Sequence, residues 1–197
     1  MGLVVVASCA VSLMVGHAFY GPGEVWRVIL GQTVPGASFT VGELRLRLVH
    51  APGHEADQCV VHDPRSGVLW AADMLSDVEI PYVCHSLPAY KETLSALASW
   101  DIRILVPGHG QPTSDPGEIA ARLAHDRAYL AELHARVAEA VGQGKGVEET
   151  VEACSAMTYR HQDENLGCHQ RNVESAYLEL GGTPPPTPVG WDRVPEG

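Results

Sequence analysis

The tripeptide Pro-Gly-His occurs twice in the chain, at residues 52–54 and 107–109, and each copy directly follows a predicted β-strand. The first strand, Glu43 to Val49, alternates polar and apolar residues with period two, whereas the second, Ile102 to Val106, is largely apolar and predicted to be buried. Proline ends strand pairing and glycine allows a close backbone approach. We therefore expect both imidazoles at the rim of a rigid sheet, open to solvent.

Two further runs predict a β-hairpin. Residues 58–62 and 68–72 have strand character, and the segment 63–67 between them contains the Pro and Gly of a tight turn. Asp73 follows the second of these strands directly. It is the third polar side chain at a predicted strand end.

His54, Asp73 and His109 together form a candidate metal site, because two imidazoles and a carboxylate suit zinc, iron or manganese. Each residue also has an ordinary structural interpretation. A histidine after Pro-Gly is commonly a loop residue that bonds backbone, and Asp73 could cap a turn before Met74. The joint pattern is more specific than any one of its members.

Helical periodicity dominates the second half of the chain. Ser86 is the expected N-cap of a first helix, followed by helices over residues 115–141, 147–157 and about 168–180. Strands first and helices later indicate an α/β fold with helices on the face of a sheet. Residues 181–197 are rich in proline and predict a flexible tail.

Composition and charge narrow the classes of function. Hydrophobic residues make up 45% of the chain and charged residues 19%, as in folded globular proteins. The net charge of −11 disfavours nucleic acid as a partner. Five cysteines without a Cys-x-x-Cys pair argue against a secreted disulfide scaffold or a zinc ribbon, so we expect a reduced, cytoplasmic setting.

The N-terminal segment is unusually apolar. Residues 2–23 carry no Lys, Arg, Asp or Glu, and Leu3 to Val15 is largely hydrophobic. A secretory signal needs a positive n-region, which is missing, and the run is shorter than the ~20 residues that span a bilayer. We interpret it as a buried core element and expect no membrane association.

The three strand-end segments resemble the metallo-β-lactamase superfamily of hydrolases, which includes glyoxalase II, lactonases and many thioesterase-like enzymes. The stretch 48–54 is similar to the family segment that supplies a third histidine ligand, 69–73 to the strand that ends in a bridging aspartate, and 104–110 to the segment of the last histidine. Asp73 follows His54 by 19 residues and precedes His109 by 36. Ala72 stands where the family usually has glycine.

The resemblance covers roughly residues 1–180 and implies an αβ/βα sandwich that holds a two-metal site, most often with zinc. His54 and His109 would be metal ligands. Asp73 would bridge the metals, and it is the implied catalytic residue because it would accept a hydrogen bond from the attacking hydroxide. The implied reaction is metal-assisted hydrolysis of a small ester, thioester, lactone or amide.

One family element is missing. The motif His-x-His-x-Asp-His, which supplies the other ligands, occurs nowhere in the chain, and the residues from Met1 onward resemble the family segment directly after that motif. We therefore expect an N-terminally truncated domain, through either a start codon set too late or a natural or engineered remnant. Such a domain should bind metal weakly, expose apolar surface around residues 3–15 and tend to self-associate into a homo-oligomer.

Other features leave alternatives open. His169, ahead of Asn172, resembles part of the family's C-terminal helix and is the predicted substrate contact. Cys84-His85 and Cys168-His169 suggest a second soft metal site, which no ligand spacing supports. An inactive binding or interaction module, and iron-dependent oxidation chemistry, are the alternatives to a hydrolase acting on a small-molecule substrate.

Overall fold

A computed structural model describes residues 37–41 and 43–183, so the predicted N-terminal core element and nearly all of the proline-rich tail lie outside the described residues. Its strands are β1 (Ala37–Val41), β2 (Leu44–His50), β3 (Cys59–Asp63), β4 (Val68–Trp70) and β5 (Ile104–Val106). Its helices are α1 (Leu87–Leu97), α2 (Pro116–Gly142), α3 (Val147–Cys154) and α4 (Gln162–Glu179). The expected α/β class is confirmed.

The five strands form one sheet in the order β1-β2-β3-β4-β5. Neighbours are antiparallel except β4 and β5, which run parallel and are connected through α1. The predicted hairpin is β3–β4. Its turn is closed by the Gly67 amide, which donates to the Asp63 carbonyl at 2.8 Å, and by the Ser66 hydroxyl, which donates to the Asp63 carboxylate at 2.6 Å.

One face of the sheet carries the described helices. Strand register places Leu69 beside Leu105 on this face, and both are fully buried. They belong to one hydrophobic cluster with Leu94 of α1, Leu133 of α2 and Val173 of α4. Burial of these side chains supplies the main driving force for attaching the helices to the sheet.

The opposite face is also apolar but less covered. Trp70 and Ile104 lie on it and are 38% and 39% exposed. The prediction that residues 102–106 form a buried strand was therefore wrong in part: the strand begins at Ile104, and within it only Leu105 is buried. Successive strand residues point to opposite faces, so a strand with one covered face buries alternate side chains.

The helix starts test the predicted Ser86 cap and the predicted start of the helix over residues 115–141. Ser86 caps α1, where its hydroxyl accepts from the Ala89 amide at 3.3 Å, and Asp115 caps α2, where its carboxylate accepts from the Gly117 amide at 2.7 Å. The last helix begins at Gln162, six residues earlier than predicted. Its first turn is too polar to show the apolar repeat on which the prediction depended. No helix among the described residues is long and apolar enough to cross a membrane.

Ala72 gives a first testable prediction, because its φ of 49° lies in the left-handed region. That conformation costs a residue with a Cβ roughly 1–2 kcal/mol, whereas glycine loses roughly 0.5–1 kcal/mol through the greater freedom of the unfolded chain. Ala72→Gly should therefore raise the free energy of unfolding by up to about 1 kcal/mol. Chemical denaturation measures this change. Ala71→Gly, at a buried site without positive φ, is the control and should destabilise; equal losses in both variants would contradict the explanation.

Candidate active site

The structure brings the three predicted site residues together at one rim of the sheet. The His54 Nε2 atom lies 3.5 Å from Asp73 Oδ2, and the His109 Nε2 atom lies 3.3 Å from Asp73 Oδ1. The carboxylate therefore stands between the two imidazoles, one at each oxygen. This arrangement follows from three strand ends that meet at the same edge.

Neighbouring backbone contacts fix the position and ring orientation of His54. Gly53 precedes it with a φ of 140°, and a Cβ there would overlap the backbone and side chain of Tyr90 in α1, so only glycine allows this approach. The His54 Nδ1 atom donates to the Tyr82 carbonyl at 2.9 Å. A histidine that donates one ring N–H to a backbone carbonyl has its tautomer and ring orientation fixed. The free Nε2 atom then faces Asp73.

A second glycine, Gly108, allows the loop after β5 to approach Asp73 closely. The Gly108 amide donates to the Ala72 carbonyl at 2.6 Å, and a Cβ at this position would lie 2.9 Å from Asp73 Oδ1. The Tyr90 hydroxyl donates to the Asp73 carbonyl at 3.3 Å. His109 is the most open member of the site, and its Nδ1 atom lies 3.9 Å from Glu79 Oε1.

A cavity of about 350 Å³ opens in front of the carboxylate. Besides the three site residues, its lining includes Glu79, Ile80, Tyr82, Glu164, Asn165 and Cys168. Three carboxylates make this lining acidic. Burial raises the pKa of Cys168 to about 12, and nearby Glu79 adds to the shift, so this side chain is a neutral thiol near neutral pH.

The loops that carry the site are joined by a buried arginine. Arg122 of α2 donates through Nη1 to the Leu75 carbonyl at 3.3 Å and to the Gln111 carbonyl at 2.9 Å. Leu75 follows Asp73, and Gln111 follows His109. In addition, the Gln111 amide donates to the Asp77 carboxylate at 2.8 Å. One guanidinium thus fixes two site loops relative to each other.

His169 is not brought to the site. Only 2% of it is exposed, and it does not line the cavity. Its Nδ1 atom lies 3.0 Å from the Tyr129 hydroxyl, and its Nε2 atom lies 3.2 Å from the Cys154 carbonyl. Both ring nitrogens are already engaged by protein groups. Substrate contact by His169 therefore gains no support from its position.

The sequence interpretation did not single out Glu79, Glu164 and Asn165 as functional residues. Glu79 lies in the loop between β4 and α1, where no periodicity marks it. Glu164 and Asn165 belong to the first turns of α4, which the apolar repeat did not reveal. A buried asparagine in a polar stretch is visible only when the chain is folded.

The described side chains do not make a complete metal site by themselves. Among residues 37–41 and 43–183, no group of three or more His, Cys, Asp or Glu side chains is arranged to hold a metal ion. His54 and His109 contact different oxygens of Asp73 rather than a common centre. The second soft site that the Cys-His pairs suggested, and that no ligand spacing supported, is likewise not found in this part of the chain.

Comparison with protein families identifies the superfamily of this chain. The model described as Metallo-beta-lactamase superfamily matches residues 4–109, just over half of the sequence. The chain belongs to the metallo-β-lactamase superfamily. This confirms the resemblance that the three strand-end segments indicated.

Similar proteins include alkylsulfatases. A linear primary-alkylsulfatase of Pseudomonas sp. (strain ATCC 19151) is 24% identical in an alignment of 190 positions that covers 90% of this chain and 34% of that protein. The inverting sec-alkylsulfatase Pisa1 of Pseudomonas sp. superposes with a TM-score of 0.61 at 19% identity, over 83% of this chain and 28% of that one. The chain thus spans about a third of the length of these relatives.

A second solved structure shows a similar likeness. A beta-lactamase domain protein of Burkholderia ambifaria superposes with a TM-score of 0.54 at 21% identity, over 77% of this chain and 46% of that one. At these identities the structural matches establish the shared fold.

The buried state of His169 predicts a pH-dependent stability. Burial lowers the pKa of His169, and its bond to the Cys154 carbonyl only partly opposes the shift. Below about pH 6.5 the unfolded chain takes up a proton there before the folded protein does, so the free energy of unfolding should fall as the pH is lowered from 6.5.

Chemical denaturation between pH 5 and 8 measures this slope. His169→Gln keeps an amide that can bond both partners but does not titrate, so its slope should be shallower. His62, which burial also shifts to lower pKa, is present in both proteins and does not affect the comparison. Identical slopes would show that His169 carries no such linkage.

Proposed function

We propose that the chain forms part of a metal-dependent hydrolase that acts on a small ester, thioester, lactone or amide. The observation that carries this proposal is the Asp73 carboxylate held between the His54 and His109 imidazoles at the mouth of a cavity. The remaining metal donors would come from residues outside those described. Zinc is the expected metal, with iron or manganese as alternatives.

The cavity supports the size and charge of the proposed substrate. A volume of about 350 Å³ is at the small end of ligand pockets. Its carboxylates, from Asp73, Glu79 and Glu164, repel polyanions and favour a bound cation next to a neutral or weakly charged substrate. Nucleic acid remains a poor candidate for the same reason.

A sulfate ester is a second candidate substrate. It is favoured by the likeness to the Pseudomonas alkylsulfatase, which extends over 90% of this chain. Hydrolysis of a sulfate ester releases inorganic sulfate, whereas hydrolysis of an acyl ester or thioester releases a carboxylic acid. The products therefore distinguish the two substrate classes.

An inactive binding or interaction module is the alternative to an enzyme. It is favoured by the incomplete donor set among the described residues. Such a module would use the cavity or the apolar sheet face that includes Trp70 and Ile104.

Metal content gives a prediction for the 197-residue chain itself. His54, Asp73 and His109 would be shared between the two metal positions of the family site, so they should bind zinc weakly. We therefore expect much less than one zinc per chain after chelation, reloading and gel filtration. Elemental analysis measures the ratio. Stoichiometric zinc in this chain, lost in His54→Ala, would contradict the expectation of an incomplete site.

Genomic sequence upstream of Met1 discriminates between the hydrolase and the binding module, because an in-frame His-x-His-x-Asp-His there favours a start codon set too late. Activity is then tested in a protein extended to include that motif. We expect the extended protein to bind zinc and to hydrolyse members of a panel of acyl ester, thioester, lactone and sulfate ester substrates. His109→Ala should lower kcat/KM by roughly 100-fold or more. His134→Ala, on α2 and outside the cavity lining, is the matched control and should leave activity unchanged.

The outcomes separate the candidates. Equal activity in the parent and His109→Ala would remove His109 from the site. A genome without the motif, together with no hydrolysis of any substrate in the panel, would favour the binding module.

A further inference from the structure

Two buried asparagines of α4 contact the loop that borders the cavity. Asn165 is 6% exposed and Asn172 is fully buried. They are seven residues apart, which is about two helical turns, so they lie on the same face of the helix. Both amides bond to the loop of residues 78–83.

Each amide bonds the loop in the same way. Asn165 donates through Nδ2 to the Val78 carbonyl at 3.0 Å, and its Oδ1 atom accepts from the Ile80 amide at 3.5 Å. Asn172 donates to the Pro81 carbonyl at 2.7 Å and accepts from the Val83 amide at 2.7 Å. In both cases one side chain bonds a carbonyl and the amide two residues later. The backbone amides and carbonyls of the loop thus have hydrogen-bond partners in these two side chains, although the loop does not belong to the sheet.

The choice of asparagine follows from its chemistry. Only a carboxamide offers an acceptor and two donors on one short side chain. Asn172 uses its second donor for the Tyr129 hydroxyl at 2.9 Å. The Oδ1 atom and both Nδ2 hydrogens of Asn172 therefore have hydrogen-bond partners, as expected of a polar group in a fully buried position.

The residue held between the two Asn172 bonds is Tyr82. Its carbonyl oxygen accepts the hydrogen bond from His54 Nδ1, and the two atoms are 2.9 Å apart. The Val83 amide that Asn172 accepts from belongs to the same planar peptide unit as this carbonyl, and the Pro81 carbonyl belongs to the preceding unit. The two Asn172 bonds therefore fix the orientation of the Tyr82 carbonyl.

We propose that Asn172 is a positioning residue for His54. By fixing the Tyr82 carbonyl, it keeps the proton of the neutral imidazole on Nδ1 and directs Nε2 towards Asp73. Its importance for hydrolysis rests on the proposed function, but the position of the His54 proton does not.

The backbone of His54 has its own support. The Cys84 amide donates to the His54 carbonyl at 3.1 Å, and the Ser86 amide donates to the Gly53 carbonyl at 3.2 Å. These bonds do not involve Asn172. Loss of the Asn172 amide should therefore release the Tyr82 carbonyl while the loop that bears His54 stays in place.

The test is Asn172→Leu, which keeps the branched shape and removes both bonds to the loop. Ring ¹⁵N chemical shifts of His54, recorded at pH 8.5 where free imidazole is neutral, report which nitrogen carries the proton. In the parent we expect the Nδ1–H form to dominate. In Asn172→Leu the ratio of the Nδ1–H to the Nε2–H form should fall roughly fivefold, the change expected from loss of one neutral hydrogen bond.

Two matched variants control for general loosening of the buried region. Asn165→Leu removes the equivalent clamp from residues 78–80, which do not include Tyr82, and should leave the His54 ratio unchanged. Tyr129→Phe removes the hydroxyl bonded to Asn172 and His169 but leaves both loop bonds intact. It should also leave the ratio unchanged.

Each outcome decides the proposal. An Nε2–H form in the parent, an unchanged ratio in Asn172→Leu, or an equal shift in Asn165→Leu would overturn it. If Asn172→Leu does not fold, scalar couplings across hydrogen bonds in the parent decide instead. Absence of either coupling, from Val83 to Asn172 or from His54 to Tyr82, would overturn the proposal. Because none of these measurements involves substrate, they stand even if no hydrolysis is found.

Discussion

The parallel pairing of β4 with β5 determines where the site can form. Its register sets Trp70 beside Val106, so Asp73 and His109, each three residues further on, leave the sheet at matching positions. Parallel strands need a crossover connection, which the chain supplies with the loop that contains Glu79 and Tyr82 and with α1. The same connection therefore borders the cavity whose floor the two strand ends create.

Two helices hold the loops around the cavity, which the sheet alone does not fix. Arg122 of α2 joins the loops after Asp73 and His109, and Asn172 of α4 holds the loop on the other side of the cavity. Removing either polar side chain would leave buried backbone groups without partners, a larger loss than that of an exposed bond.

Local chemistry in the sequence predicted much of this arrangement. The β3–β4 turn, the Ser86 cap and the two Pro-Gly-His segments each depend on a few adjacent residues. The loop partners of Asn165 and Asn172 lie 85 to 91 residues away, and no periodicity connects them. His169 shows another limit of local sequence: its neighbours in sequence resemble a cleft helix, but its side chain contacts Tyr129 and the Cys154 carbonyl.

The pairing of His54 with Asp73 has an electrostatic consequence. With its Nδ1 proton donated to the Tyr82 carbonyl, a neutral His54 presents a lone pair on Nε2, and Asp73 Oδ2 at 3.5 Å presents another. Two acceptors at this distance repel unless positive charge lies between or beside them. A cation held between them with further donors would meet that need. The bond to Tyr82 thus leaves Nε2 free, and the rim becomes a place where a cation would be stabilised, as the proposed metal site needs.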